Sequence, residues 1–408
     1  MWACMAAPDR RLGPVARALL VLLMLLAPFA ASATAPRIGV ATMQPGEVFW
    51  ERFGHDAIVV IDPVTGAATS YNFGFFDPSE PGFVGNFVHG IMRYRLAALP
   101  FEEDMAMYRE EGRGVSIQWL RLTDAQANEL ASALAVNARP ENAVYGYDYF
   151  RDNCATRVRD AVDRALGGEL HRQLAGRSHG ATYRSEAVRL ASPAPWMWLG
   201  FDVGLGPRSD RPLSLWEEAF VPMRLAASLR EVQIDGRPLV ESESPVLTHR
   251  IAPEPADAPR ATWPWLLVGL VAGALLATVG PRRPRVAAAF ALAFWTVAGL
   301  LGAVMLFLWA GTVHEFAWAN RNLLMLNPLA WLALPGAWRV LRGRGSGLLM
   351  QKMLPALAGL ALIAMFASWL ESGAQDNVHW IALLLPIHLG LWAGLRTTRH
   401  PPAASIGA

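Results

Sequence analysis

The feature that most constrains this chain is the contrast between its two halves. From Trp263 onward the sequence is mostly Leu, Ala, Val and Trp, arranged in five apolar stretches at 263–280, 286–311, 323–340, 354–370 and 378–395. Each is about long enough to cross a hydrocarbon layer as a helix, which takes roughly 20 residues. The connecting charges alternate. Arg282, Arg283 and Arg285 follow the first stretch, Arg342, Arg344 and Lys352 follow the third, and Arg396 and Arg399 follow the fifth. The intervening loops, at 313–321 and 371–377, are poor in basic residues. Arginine-rich loops stay in the cytoplasm, which places residues 37–260 on the outer side. Trp263, Trp265, Trp309, Trp318 and Trp380 fall near the ends of the stretches, as an interfacial aromatic belt requires.

The N-terminus gives the same sidedness. Arg10, Arg11 and Arg17 flank an apolar run at 18–29 that closes with Ala30-Ala31-Ser32-Ala33, the three parts of an export signal. The organisation expected is a signal peptide (1–35), an exported α+β domain (36–241), a Pro-rich linker (242–262), five transmembrane helices (263–396) and a cytoplasmic tail (397–408). Hydrophobic residues make up 53% of the 408 positions, too apolar a chain for a purely soluble enzyme. With 36 basic and 34 acidic residues, no basic stripe is left to neutralise phosphates, which argues against a nucleic-acid partner.

Within the exported domain, the β-branched run 57–61, the Asp62-Pro63 and Thr65-Gly66 turn signals and the run 68–73 predict a hairpin. Helices are expected over 101–109 and 123–136, with a strand at 114–122. Asp152 or Asn153 can cap a helix that begins at Cys154 and ends at Gly167-Gly168. Cys4 precedes the apolar run of the export signal, so Cys154 is the exported domain's one cysteine and cannot form an internal disulfide. A cysteine in a first helical turn meets free N–H groups and the positive dipole end, both of which favour thiolate. Arg157 would add to this and Asp152 oppose it. His55, at the start of the hairpin's first strand, is a candidate base, and Asn72 on the second strand is spaced to orient its ring. His89, His171, His179 and His249 compete for the same role on composition alone.

Glu51-Arg52-Phe53-Gly54-His55-Asp56-Ala57, then Tyr71-Asn72-Phe73-Gly74 and Phe76-Asp77, then Asp152-Asn153-Cys154-Ala155-Thr156-Arg157-Val158-Arg159-Asp160, resemble the periplasmic domain of Lnb-type lipoprotein acyltransferases. The order of histidine strand before cysteine helix also resembles the circularly permuted NlpC/LRAT branch of papain-like enzymes. Residues 314–322 with the following Leu323 to Pro328 are similar to that family's membrane part. The resemblance implies a circularly permuted papain-like domain followed by an all-α five-helix transmembrane domain. It would lie in the inner (cytoplasmic) membrane as a multi-pass protein, with the large N-terminal domain in the periplasm. It further implies an enzyme that moves an acyl chain from the glycerol of a diacylated lipoprotein to that lipoprotein's own N-terminal amine. Cys154 would carry the chain as a thioester, with His55 as base, Asn72 as orienter and Asn153 as local polar support.

Membrane lipid or lipidated protein in the bilayer is then the expected partner. Phe73, Phe75, Phe76, Phe83 and Phe87, with Trp196 and Trp198, supply either an apolar lip for acyl chains or domain core. The external loop holding His314, Asn320 and Asn322 supplies either part of a shared substrate site or a solvated turn. His379, His388 and Asn327, polar groups at or within the spans, serve more commonly in helix-to-helix hydrogen bonding than in transport. No metal-ligand spacing, phosphate loop or dinucleotide fingerprint is present, so no cofactor is implied. Two other readings stand beside acyl transfer. One is a membrane-anchored periplasmic cysteine hydrolase (peptidase or amidase), for which one span would suffice. The other is a non-catalytic binding or transport protein, which predicts charged or broken sites in mid-membrane.

Overall fold

The computed structural model describes residues 34–370 and 375–398. The export signal, part of the loop at 371–377 and the end of the tail lie outside the described residues. The first half is a mixed α/β domain built on one antiparallel sheet of seven strands, in the order β6-β4-β3-β2-β1-β5-β9. These are β1 (Arg37–Met43), β2 (His55–Ile61), β3 (Ala68–Phe75), β4 (Met92–Pro100), β5 (Val115–Leu120), β6 (Val144–Tyr147) and β9 (Val240–Leu247). A short hairpin, β7 (Gln233–Ile234) and β8 (Arg237–Pro238), stands apart.

The β2–β3 hairpin pairs Ala57 with Asn72 and Ile61 with Ala68. Its turn is held by the Asp62 carboxylate, which accepts the N–H groups of Val64 and Thr65. Side chains alternate along β2 and so face two layers. Ala57 and Val59 join Met105 and Tyr108 under a helix at Phe101–Glu111. Ile58 joins Phe73, Ala155 and Val158 under a helix at Cys154–Ala165. The interior strand β1 is buried along nearly all of its length, so its sequence shows no polar alternation.

Two expectations need correcting. The linker predicted at 242–262 begins inside β9, which pairs antiparallel with β5 at the sheet edge. Pro245 is tolerated there because it sits at a register shift on an edge strand. The third of the five expected membrane helices is also not one continuous helix. Among the described residues three helices are long and apolar enough to cross a membrane, Pro284–Gly311, Leu348–Ser368 and Val378–Leu395, beside a shorter apolar helix at Trp263–Val279. The stretch 323–340 folds as 3-10 turns, Arg321–Leu324 and Pro328–Ala333, followed by a short helix, Leu334–Leu341. Pro328 lacks an N–H, and Asn327 turns its side chain onto the Leu329 N–H, so an α-helix cannot run through. The stretch nonetheless runs from Asn322, bonded by Asn377, to a basic end where Gly343 meets the Arg285 guanidinium.

The first and last apolar helices approach closely through small residues: a Cβ on Gly273 would lie 2.4 Å from the Pro386 carbonyl oxygen. His388 donates to the Met325 carbonyl at 2.9 Å, an ordinary interhelical use of a buried imidazole. The two halves are locked together at a helix spanning Pro195–Gly204. Its fully buried Asp202 accepts from Arg260, from His379 at 2.7 Å and from the Trp380 indole at 2.9 Å. Its terminal carbonyls, which have no partner within the helix, are taken by membrane-side loops. Asn320 donates to Val203, Gly204 and Leu205, Asn322 to Val203, and Gln375 to Leu205.

Candidate active site

Gly54 turns the chain into β2 with φ of +76°, and a Cβ there would lie 2.9 Å from the Met43 carbonyl oxygen, so only glycine fits. The next residue, His55, starts the strand. Its Nε2 is 3.0 Å from Asn72 Oδ1, and Asn72 in turn donates from Nδ2 to Asp104 at 3.1 Å. The acid fixes which way the amide points. Asn72 therefore offers its oxygen to the ring, Nε2 carries the proton, and Nδ1 is left as the basic nitrogen. Burial lowers the His55 pKa to about 4, against a raising effect of Asn72, so the ring is neutral.

Cys154 is the first residue of its helix. Asn153 caps it, accepting from the Thr156 N–H at 2.9 Å while its amide donates to the carbonyls of Tyr149 and Phe220. The expected thiolate is not the resting state. Burial, and after it the Asp56 carboxylate, push the thiol up to about 12, outweighing nearby backbone N–H groups of Asp56 and Ala155. Arg157 gives no net help because it is paired with Asp152. Asp56 is itself unusual. It is fully buried, its Oδ1 accepts from Thr42 at 2.7 Å, its Oδ2 has no hydrogen-bond partner among the described residues, and burial raises it to about 7.

His55 starts β2, and Cys154 starts the helix packed on that strand. A Cβ on Gly74, two residues beyond Asn72, would lie 3.8 Å from Cys154 Cβ. Both residues line one cavity of about 690 Å³. Among the described residues no hydrogen bond joins the sulfur to the ring, and burial favours the neutral form of each. The cavity walls are largely aromatic, with Phe49, Phe53, Phe76, Phe83 and Trp196 among them. Leu308, from the long helix Pro284–Gly311, closes one side.

Of the residues expected from sequence, His55, Cys154, Asn153, Phe76 and His314 line the cavity, and Asn72 stands behind His55. Three expected substrate contacts do not. Phe75 lies outside the cavity, partly exposed beneath the Arg95 guanidinium. Asn320 and Asn322 are buried, with their amides spent on the helix carbonyls at 203–205. His314 has both nitrogens engaged: Nδ1 accepts from Tyr149 at 2.7 Å and Nε2 donates to the Phe87 carbonyl at 3.1 Å. It braces the membrane loop against the domain. Sequence reasoning missed Asp104, which no pattern separates from its neighbours Glu102 and Glu103, and passed over Asp56, although it stands next to His55. Among the described residues no group of three His, Cys, Asp or Glu side chains could hold a metal ion.

Comparison with known families gives two matches. Residues 30–187 match the Lnb N-terminal periplasmic domain, and residues 259–391 match the Lnb transmembrane domain. No curated protein and no solved structure matches the chain.

Proposed function

The chain belongs to the Lnb family, and on that premise we propose that it is a multi-pass inner-membrane acyltransferase that uses Cys154 to carry an acyl chain between lipidated substrates. One observation carries the reading: a helix-start cysteine and a strand-start histidine line the same aromatic cavity, and a membrane-length helix forms part of its wall. The helix-start cysteine and strand-start histidine, in that spatial relation, are also what a circularly permuted papain-like domain would supply. The alternation of basic loops supports five crossings, the third made by 3-10 turns and a short helix rather than one continuous helix.

In the proposed chemistry, His55 Nδ1 takes the thiol proton as the sulfur attacks the carbonyl carbon of an acyl ester. The C–O bond breaks, the histidine returns the proton to the departing alkoxide, and the chain remains on Cys154 as a thioester. A substrate N-terminal amine then attacks the thioester carbonyl, the C–S bond breaks, and the proton lost by nitrogen returns the sulfur to a thiol. Starting from two neutral groups suits a water-poor cavity, because no buried charge is maintained before substrate binds. Asn72 and Asp104 keep Nδ1 aimed away from themselves and free.

The test is intact-mass analysis of purified full-length protein incubated with diacyl lipopeptide. A hydroxylamine-labile acyl adduct on the wild type, absent in Cys154→Ala, together with a lipopeptide acylated on its amine, is the expected result. Release of free fatty acid without amine acylation would make the protein a hydrolase. Full activity in Cys154→Ala would end the thioester account.

A further inference from the structure

Between β3 and β4 lies a short helix, Phe83–His89, none of whose residues is buried. Val84 is 70% exposed and Ile91, just beyond the helix, 54%, and the one titratable side chain over 83–91 is His89. Trp50 and Trp196 carry the same kind of surface from two other segments, at 56% and 66% exposure. Scattered apolar residues are ordinary, but exposed apolar side chains gathered on one rim mark a surface with a partner.

The patch is continuous with the membrane half. The His89 ring meets Phe307 edge-on at 6.0 Å, and the Val313 N–H donates to the His89 carbonyl at 2.9 Å. Trp198, on the helix carrying Trp196, stacks on Trp265 of the first apolar helix. The helix ending at Gly311 has 28 residues. At 1.5 Å per residue it is about 42 Å long, roughly 12 Å more than the hydrocarbon layer. Its last turn therefore stands at headgroup level, and the short helix beside it lies at the depth where interfacial helices bury their apolar faces. Behind that face the cavity wall is thin. Phe49 touches Phe87 at 6.3 Å between ring centroids and Trp196 at 5.9 Å, and all three rings also line the cavity.

We infer that this rim is seated in the outer leaflet, and that an acyl chain of a membrane lipid reaches Cys154 sideways, between Phe49, Phe87 and Trp196. The inference rests on the acyl-transfer reading for what passes through the port, but not for where the rim sits. Its location is tested in vesicles with full-length protein carrying Cys4→Ser and Cys154→Ser. A fluorophore attached through Val84→Cys should be quenched by lipid spin-labelled near the headgroup and shielded from aqueous iodide. The same fluorophore through Val64→Cys, on the turn at the far end of β2, should behave oppositely. Iodide quenching at Val84 equal to that at Val64 overturns the seat. Shielding that persists in detergent and follows cross-linking to a second copy overturns it too, by assigning the face to self-association.

Admission is tested with Val84→Asp/Val88→Asp, two positions outside the cavity. Acylation of Cys154 from vesicle lipid should fall by about tenfold or more, while iodoacetamide labelling of Cys154 in detergent stays unchanged. Unchanged acylation overturns the port. A wild type that never acquires an acyl group, with the Val84 label still in lipid, would instead remove the acyl-transfer reading and leave the seat standing.

Discussion

Two buried polar clusters in this protein are built to opposite rules. At the junction between the halves, Asp202 has three donors, and the carbonyls of Val203, Gly204 and Leu205 are met by Asn320, Asn322 and Gln375. At the end of the sheet, Asp56 has Thr42 alone, one of its oxygens has no hydrogen-bond partner among the described residues, and the thiol and imidazole nearby are unjoined. A satisfied network holds two bodies in fixed relation. An under-satisfied one leaves bonding capacity open for ordered water or for a bound group.

Substitutions can break this comparison directly. The largest effect is expected for Asp202→Ala, which strands Arg260 and His379 without their acceptor and should cost about 3–5 kcal/mol. Thermal unfolding of the detergent-solubilised protein measures this. Asp56→Asn, also at a buried acid, should be neutral or stabilising at pH 7; equal losses for the two acids would erase the distinction drawn here. Next comes Asn72→Ala, which frees the His55 ring. Losing a hydrogen bond worth about 1–3 kcal/mol should slow Cys154 acylation roughly 10- to 100-fold, with Asp104→Asn giving a smaller loss because Asn72 stays in place. A more modest change is expected for Asn320→Ala, which should lower stability by about 1–3 kcal/mol and leave acylation per folded molecule unaltered. If acylation fell while stability held, Asn320 would belong to the substrate site after all.

The smallest effect is a difference of slope. Asp56 is raised to about 7 on folding, so its contribution is complete below pH 4 and is lost as pH rises through 7. His55 is lowered to about 4, so its contribution is complete above pH 6.5 and is lost as pH falls through 4. In the wild type these trends oppose each other between pH 4 and 7. Melting temperatures of Asp56→Asn should therefore rise with pH across that window relative to wild type, and those of His55→Gln should fall. Parallel curves for the two variants would remove either burial or identity as the cause.

The sequence made the hairpin readable because its strands are β-branched and its turn residues unambiguous, and it made the cysteine helix readable because Asp152 or Asn153 could cap it and Gly167-Gly168 end it; the structure selects Asn153, paired with Thr156. The strand β1 was not legible, since a strand buried on both faces has no alternation to detect. The break in the third apolar stretch was visible in Asn327-Pro328 but was outweighed by hydropathy, which records composition and not hydrogen bonding. His55 and Cys154 could be named from local signals, because each sits where an element begins. Their charge state could not, because it depends on burial supplied by the rest of the fold and, for Cys154, on Asp56. Asn320 and Asn322 were read as solvent-facing or substrate-facing. Their true partners are carbonyls more than a hundred residues earlier, and no local pattern carries that.

The edge strand β9 has a consequence for biogenesis. It is the final piece of the sheet and also the segment just ahead of the first apolar helix, and its Glu243 accepts from Gln118, 125 residues earlier. The exported domain thus stays incomplete, with β5 bare along one side, until the chain has been threaded outward almost to its first apolar helix. Closing so long a loop is slow, and an uncovered strand is prone to pairing with a neighbouring molecule. Maturation of the soluble part is therefore timed to the arrival of the membrane part, and a secreted fragment ending before Val240 would be released with its sheet unfinished.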